Sequence, residues 1–144
     1  MADLRVELYG ELVGHLVGAE RRTFDFIATK NAIETFGLGN TILSESVPFD
    51  LIANRSRAAR RRNFFAELRP EGTALDNLAA EIRVSTADVI PLLAQFGRDV
   101  AGAVQIYDPD APGEPRKPDL TQVDAAGVPK CHSPKDVGAY ASWR

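Results

Sequence analysis

Residues 4 to 9 alternate, with Leu4, Val6 and Leu8 on one side and Arg5, Glu7 and Tyr9 on the other. A period of two is the mark of a half-buried strand. Gly10-Glu11 suits a tight turn, and Leu12 to Val17 suits a returning strand with Gly14 inside it. Thr23 to Ile27, with Phe24 and Phe26 on one face, predicts a third strand, so the N-terminal third reads as an antiparallel meander. Asn31 to Phe36 suits a short helical turn closed by the glycines of FGLGN, and Ile42 to Val47 suits a further short strand ahead of Pro48.

From Ser56 the period becomes helical. Ser56 or Asn54 can cap a helix running to about Leu68, where Arg69 before Pro70 and then Glu71-Gly72 break it. Thr73-x-x-Asp76 resembles a capping box, and Leu75, Leu78, Ala79 and Ile82 follow at helical spacing. Ser85-x-x-Asp88 opens a third helix with Val89, Leu92, Leu93 and Phe96 as its core face. Pro91 is tolerated there only in the first turn, which favours Asp88 as the cap. Gly97 suits a left-handed position after that helix. Ala101 to Tyr107 returns to a strand.

Together these elements predict an α+β fold: a small antiparallel β-meander or partial barrel packed with three short helices, occupying residues 1–107. Beyond Tyr107 six of the nine prolines fall between Pro109 and Pro134. Residues 108–144 therefore read as a Pro-rich linker and a loosely ordered tail.

Composition narrows the function classes. With 44% hydrophobic and 26% charged residues in 144, the chain has the makings of one globular domain. A net charge of −3 gives no general attraction to polyanions. The only cysteine, Cys131, excludes an internal disulfide and fits a reducing, cytoplasmic setting. The N-terminus does not read as a signal peptide, and the apolar stretches are too short to span a bilayer. Neither phosphate-loop nor dinucleotide fingerprints occur. His15 reads as structural or surface, and Cys131-His132 lacks the further ligands of a metal site. No catalytic residue, cofactor, metal or small-molecule substrate is expected.

One stretch stands against the acidic background. SRAARRRNFFAELRPEG, residues 56 to 72, follows Arg55 and brings five arginines together by Arg62. On a helix at 100° per residue, Arg57, Arg60 and Arg61 share a side with Phe64 and Leu68, while Arg62 lies away from it. Arginines at a helix start oppose the helix dipole, at about 0.3–1 kcal/mol each when unscreened. Three readings stay open: a solvated helix start, a protein-contact surface with arginine and aromatic anchors, or a nucleic-acid contact. The candidate partner-binding residues are Arg57, Arg60, Arg61, Arg62, Phe64 and Phe65, and the nucleic-acid reading uses the Arg55–Arg62 run.

Five segments in order, VELYGELVGHL, TFDF, ILSESVPF, NFFAELRPEG and FGRDVAGAVQIY, resemble the N-terminal subdomain of HipA-type serine/threonine kinases over residues 4 to 107. Arg69 departs from that pattern where a second leucine is usual, and Pro91 stands in a helix that usually has no proline. The resemblance implies a β-meander topped by helices and normally fused to a larger kinase core. In that family the nucleotide-binding and catalytic motifs lie in the core, so it implies no phosphotransfer by this segment. It implies instead a docking and regulatory module that contacts a HipA- or HipT-type kinase core. Through a HipB-type helix-turn-helix antitoxin it would also meet operator DNA. In three-component relatives the module resembles the separate antitoxin HipS.

Overall fold

In a computed structural model of the chain, residues 3–114 are described apart from 19, 53 and 101. The tail expected beyond 114, with Cys131 and His132, lies outside the described residues. Three strands come first: β1 (Leu4–Leu8), β2 (Glu11–Val17) and β3 (Asp25–Ala28). They are followed by α1 (Lys30–Phe36), α2 (Ala58–Glu67), α3 (Thr73–Glu81), α4 (Val89–Phe96) and β4 (Val104–Tyr107). Short 3-10 turns at Arg55–Arg57 and Gly97–Asp99 precede α2 and follow α4. The strands form one antiparallel sheet in the order β3-β2-β1-β4, open rather than closed into a barrel. The class is the α+β fold expected, with a fourth helix, α1, grown from the predicted turn.

Alternation in β1 buries Leu4, Val6 and Leu8, as expected. The connecting turn is Tyr9-Gly10 rather than Gly10-Glu11, because Leu8 pairs with Glu11. Both turn residues have positive φ, 53° and 81°, the geometry whose twist matches a two-residue hairpin. A bulge between Val6 and Glu7 turns both Val13 and Gly14 inward. Gly14 then leaves room for an aromatic ring, since a Cβ there would sit 2.2 Å from Phe26 Cε2.

The core is largely aromatic. Phe26 stacks near Phe65 (centroids 5.6 Å) and Phe49 (6.3 Å), and Phe24, Phe36 and Phe64 extend the cluster. Thr29 caps α1 by accepting from the Ala32 amide and donates to the Leu12 carbonyl, which ties the helix to β2. The strand expected over Ile42–Val47 does not form. Ser44 Oγ accepts from the Ser46 amide and the Ser44 carbonyl from Val47, so local bonds curl the segment into a turn. Val47 and Phe49 are nonetheless fully buried. Each such side chain contributes about 1.5–3 kcal/mol by leaving water.

The helices also differ from expectation at their ends. Asn54, one of the two predicted caps, accepts from Ser56 and starts the 3-10 turn ahead of α2. Gly72 occupies the cap of α3, so Thr73 is its first residue and the predicted capping box is absent. Asp88 stands at the cap of α4, but its carboxylate accepts from the Ser85 amide behind it instead of from the helix. Gly97 is right-handed (φ −67°), not left-handed. Its requirement is contact: a Cβ would lie 2.5 Å from the Ile106 carbonyl oxygen, where α4 meets β4.

The chain after β4 turns back. Residues 108–114 make two successive turns, and Glu114 pairs with Arg98 on the outer face of the sheet. Arg98 also approaches Glu7 at 3.5 Å and lies 3.6 Å over the Tyr107 ring, whose hydroxyl donates to Glu7 at 2.6 Å. Thus the first residues of the predicted linker are anchored, not extended.

Candidate functional site

The arginine run divides by depth. Arg55 and Arg57 lie exposed on the 3-10 turn, and Arg60 lies exposed in the first turn of α2. Arg61 is 2% exposed. Its guanidinium donates Nε to Asp25 Oδ1 at 2.6 Å, Nη2 to Asp25 Oδ2 at 3.0 Å, and Nη2 again to the Asn54 carbonyl at 2.9 Å. Asp25 Oδ1 further accepts from the Phe26 amide at 2.8 Å. Two paired charges with several charge-assisted bonds are what a dry site tolerates. Arg61 and Phe65, four residues apart, form the inward stripe of α2, and Phe65 is fully buried. Of the six candidate contact residues, these two belong to this chain's own interior and offer no surface. Arg57 and Arg60 are exposed, while Arg62 and Phe64 are half-buried.

Helical geometry on its own puts Arg61 beside Arg57 and Arg60. It does not say that the sheet lies under Arg61 and Phe65 and leaves Arg57 and Arg60 in water. Asp25 is the missing signal: period two in β3 assigns it to water, yet it is buried between Phe24 and Phe26 because α2 covers that strand.

Exposed apolar side chains flank the outer arginines. Ile52 is 87% exposed and Leu51 64%, immediately before the 3-10 turn, and Leu38 and Ile42 are exposed earlier in the same loop. Apolar side chains exposed near arginines make a candidate contact surface. In the sequence Leu51 and Ile52 give no signal, because two adjacent apolar residues show no period.

Two of the clefts that border α2 bear on the candidate site. One, of about 430 Å³, opens between the end of α2, α3 and α4 and is lined by Leu68, Leu75, Leu78, Leu92, Leu93 and Phe96. It exists because α3 inserts only Ala79 fully, leaving its predicted core residues Leu75, Leu78 and Ile82 half-buried. The other, of about 290 Å³, lies between α2 and the start of α4 and gathers Arg21, Arg62 and Arg69. Burial, and then the nearby Arg62 charge, lower the pKa of Arg69.

Among the described residues no cluster of histidine, cysteine or carboxylate side chains could hold a metal. No helix among them is long and apolar enough to cross a membrane. His15 is half-buried in β2, in register with Arg5 and Ile27.

The fold has counterparts among known proteins. The model of a family described as the HipA N-terminal domain matches residues 4–107. A similar solved structure is the Shewanella oneidensis MR-1 toxin–antitoxin complex of HipA, HipB and its operator DNA. The likeness has a TM-score of 0.56 and 26% identity over 75% of this chain, which spans 24% of that one. No curated protein matches the chain significantly.

Proposed function

The chain belongs to the HipA N-terminal domain family, and from that membership we propose that it is a non-catalytic docking and regulatory module that binds a HipA-type kinase core. We assign it no catalytic residue and no cofactor, and place its work in the cytoplasm. The observation that carries the reading is the set of exposed side chains Leu51, Ile52, Arg55, Arg57 and Arg60, the Leu51–Arg60 strip. There Leu51 and Ile52 stand in water next to Arg55, Arg57 and Arg60, the mixture of apolar and arginine anchors that protein interfaces use.

Two forms of this role fit the family. In one the chain acts as a free, HipS-like antitoxin on a separate kinase; in the other it is the N-terminal part of a longer kinase. The test is co-expression with a HipA-type kinase core that lacks this domain. Relief of that kinase's toxicity together with co-purification of both chains is the expected result. Unrelieved toxicity with no co-purification would remove the docking role.

A second reading has one observation in its favour. The Shewanella oneidensis neighbour is a complex containing HipB and operator DNA, and Arg55, Arg57 and Arg60 are free to meet phosphates. Under that reading this chain alone shifts operator DNA in a salt-dependent way. Absence of a shift at low salt would dismiss it.

A further inference from the structure

We propose that the cleft between α2 and the start of α4 is a binding site for a phosphate monoester, held by Arg62 and Arg69 with Arg21 at its mouth. The site is separate from the Leu51–Arg60 strip and stands whether or not that strip docks a kinase.

The three arginines carry the inference. None of them pairs with a carboxylate among the described residues. Arg62 makes a single side-chain bond, to its neighbour Asn63 at 3.2 Å. Arg69 is fixed from behind: its Nε donates to the Ala66 carbonyl at 3.0 Å and its Nη1 to the Thr86 carbonyl at 2.6 Å. Those bonds orient the guanidinium without neutralising it. The lowered pKa of Arg69, due first to burial and then to Arg62, has the sign expected when two cations share a poorly solvated space. An anion between them would offset the repulsion and compensate for part of the lost hydration.

The start of α4 adds to this. Val89 and Ile90 line the same cleft, and no side chain caps the helix, because Asp88 bonds backward to Ser85. Uncapped amides and the positive end of the helix dipole favour an oxyanion. With Pro91 third in the helix, only the first two amides are free to serve at this point.

The shape and the remaining charges select the kind of phosphate. Glu20 and Asp88 also line the cleft, so its net charge is small and a polyanionic duplex would meet two carboxylates at the rim. A cleft of about 290 Å³ suits a compact head group. A monoester dianion offers three terminal oxygens to two guanidinium groups and the helix amides. The two sources of that chemistry are inorganic phosphate and a phosphorylated serine or threonine of a partner.

The test is titration of the full chain with O-phospho-L-serine, a phosphoserine peptide, inorganic phosphate and a short DNA duplex, with serine and chloride as controls. The Val89 and Ile90 amides and the arginine Nε resonances are followed by NMR. Saturable shifts with the phosphomonoesters, none with serine or chloride, and about tenfold weaker binding in Arg62→Gln are expected, a loss typical of one charge-assisted bond. Arg62→Gln is the informative variant, since Arg69 also holds Ala66 and Thr86 and its loss could disturb folding; Arg21→Gln gives a second measure. The tighter of phosphate and phosphopeptide identifies the source. Shifts that fail to saturate, or that persist unchanged in Arg62→Gln, overturn the site. So does a duplex that moves these amides where phosphoserine does not.

Discussion

Arg61 reaches back 36 residues to Asp25, with Nε 2.6 Å from Oδ1 and Nη2 3.0 Å from Oδ2, in a space where both side chains are almost wholly out of water. The same guanidinium holds the Asn54 carbonyl, so one residue of a run that reads as surface charge fixes the loop before α2 onto β3.

Removing either partner leaves a buried charge uncompensated. Arg61→Ala or Asp25→Ala is expected to lower stability by about 3–5 kcal/mol, and the paired change Arg61→Leu with Asp25→Leu to recover part of that loss. Urea midpoints at constant slope measure it. A single-variant loss under about 1 kcal/mol would show that the pair is solvated, as exposed pairs are.

Gly14→Ala places a methyl group against the Phe26 ring, which sits at the centre of the aromatic cluster. Overpacking there should cost about 1–3 kcal/mol. Thermal unfolding checks it, and a melting temperature equal to that of the parent chain would refute the close approach.

Arg83 ends α3 in the left-handed region at φ 57°. The Val84 amide donates to the Ala79 carbonyl and the Arg83 amide to that of Ala80, the paired bonds of a helix stop that glycine usually supplies. Arg83→Gly should therefore stabilise the chain by about 1 kcal/mol. A destabilised variant would mean that the arginine side chain contributes more than its backbone costs.

Burial, followed by the bond to Glu7, raises the pKa of the Tyr107 phenol above its ordinary value of 10.0. The folded state thus holds this proton more tightly than the unfolded state. Its contribution is fully present below pH 10.0 and is lost as pH rises through the folded value. Stability should fall on the alkaline side, and Tyr107→Phe should flatten that fall. A parallel pH profile in the variant would count against the linkage.

Much of this fold was legible because apolar spacing reports which face of an element is covered. The alternation of Leu4, Val6 and Leu8 and the spacing of Val89, Leu92 and Leu93 located β1 and α4 directly. Contacts distant in sequence were not legible. Asp25 and Arg61 look solvated until α2 is laid on β3, and Gly97 looks like a helix stop until Ile106 is set against it. The segment from Ile42 to Val47 has strand composition, but Ser44 and Ser46 bond locally and bend it. The candidate surface was half legible. Arg57 and Arg60 follow from the basic run, whereas the exposure of Leu51 and Ile52 emerges only once the loop is seen to leave them in water.

The central claim, docking through the Leu51–Arg60 strip, is tested most directly by calorimetric titration of the purified chain into a HipA-type kinase core lacking this domain. The parent chain should bind saturably with micromolar or tighter affinity. Ile52→Asp combined with Arg57→Glu, both at exposed positions, should weaken binding by at least about tenfold without changing the melting temperature. Binding that is absent at roughly tens of micromolar, where a micromolar interface would be saturated, or that is untouched by the double variant, would contradict the account.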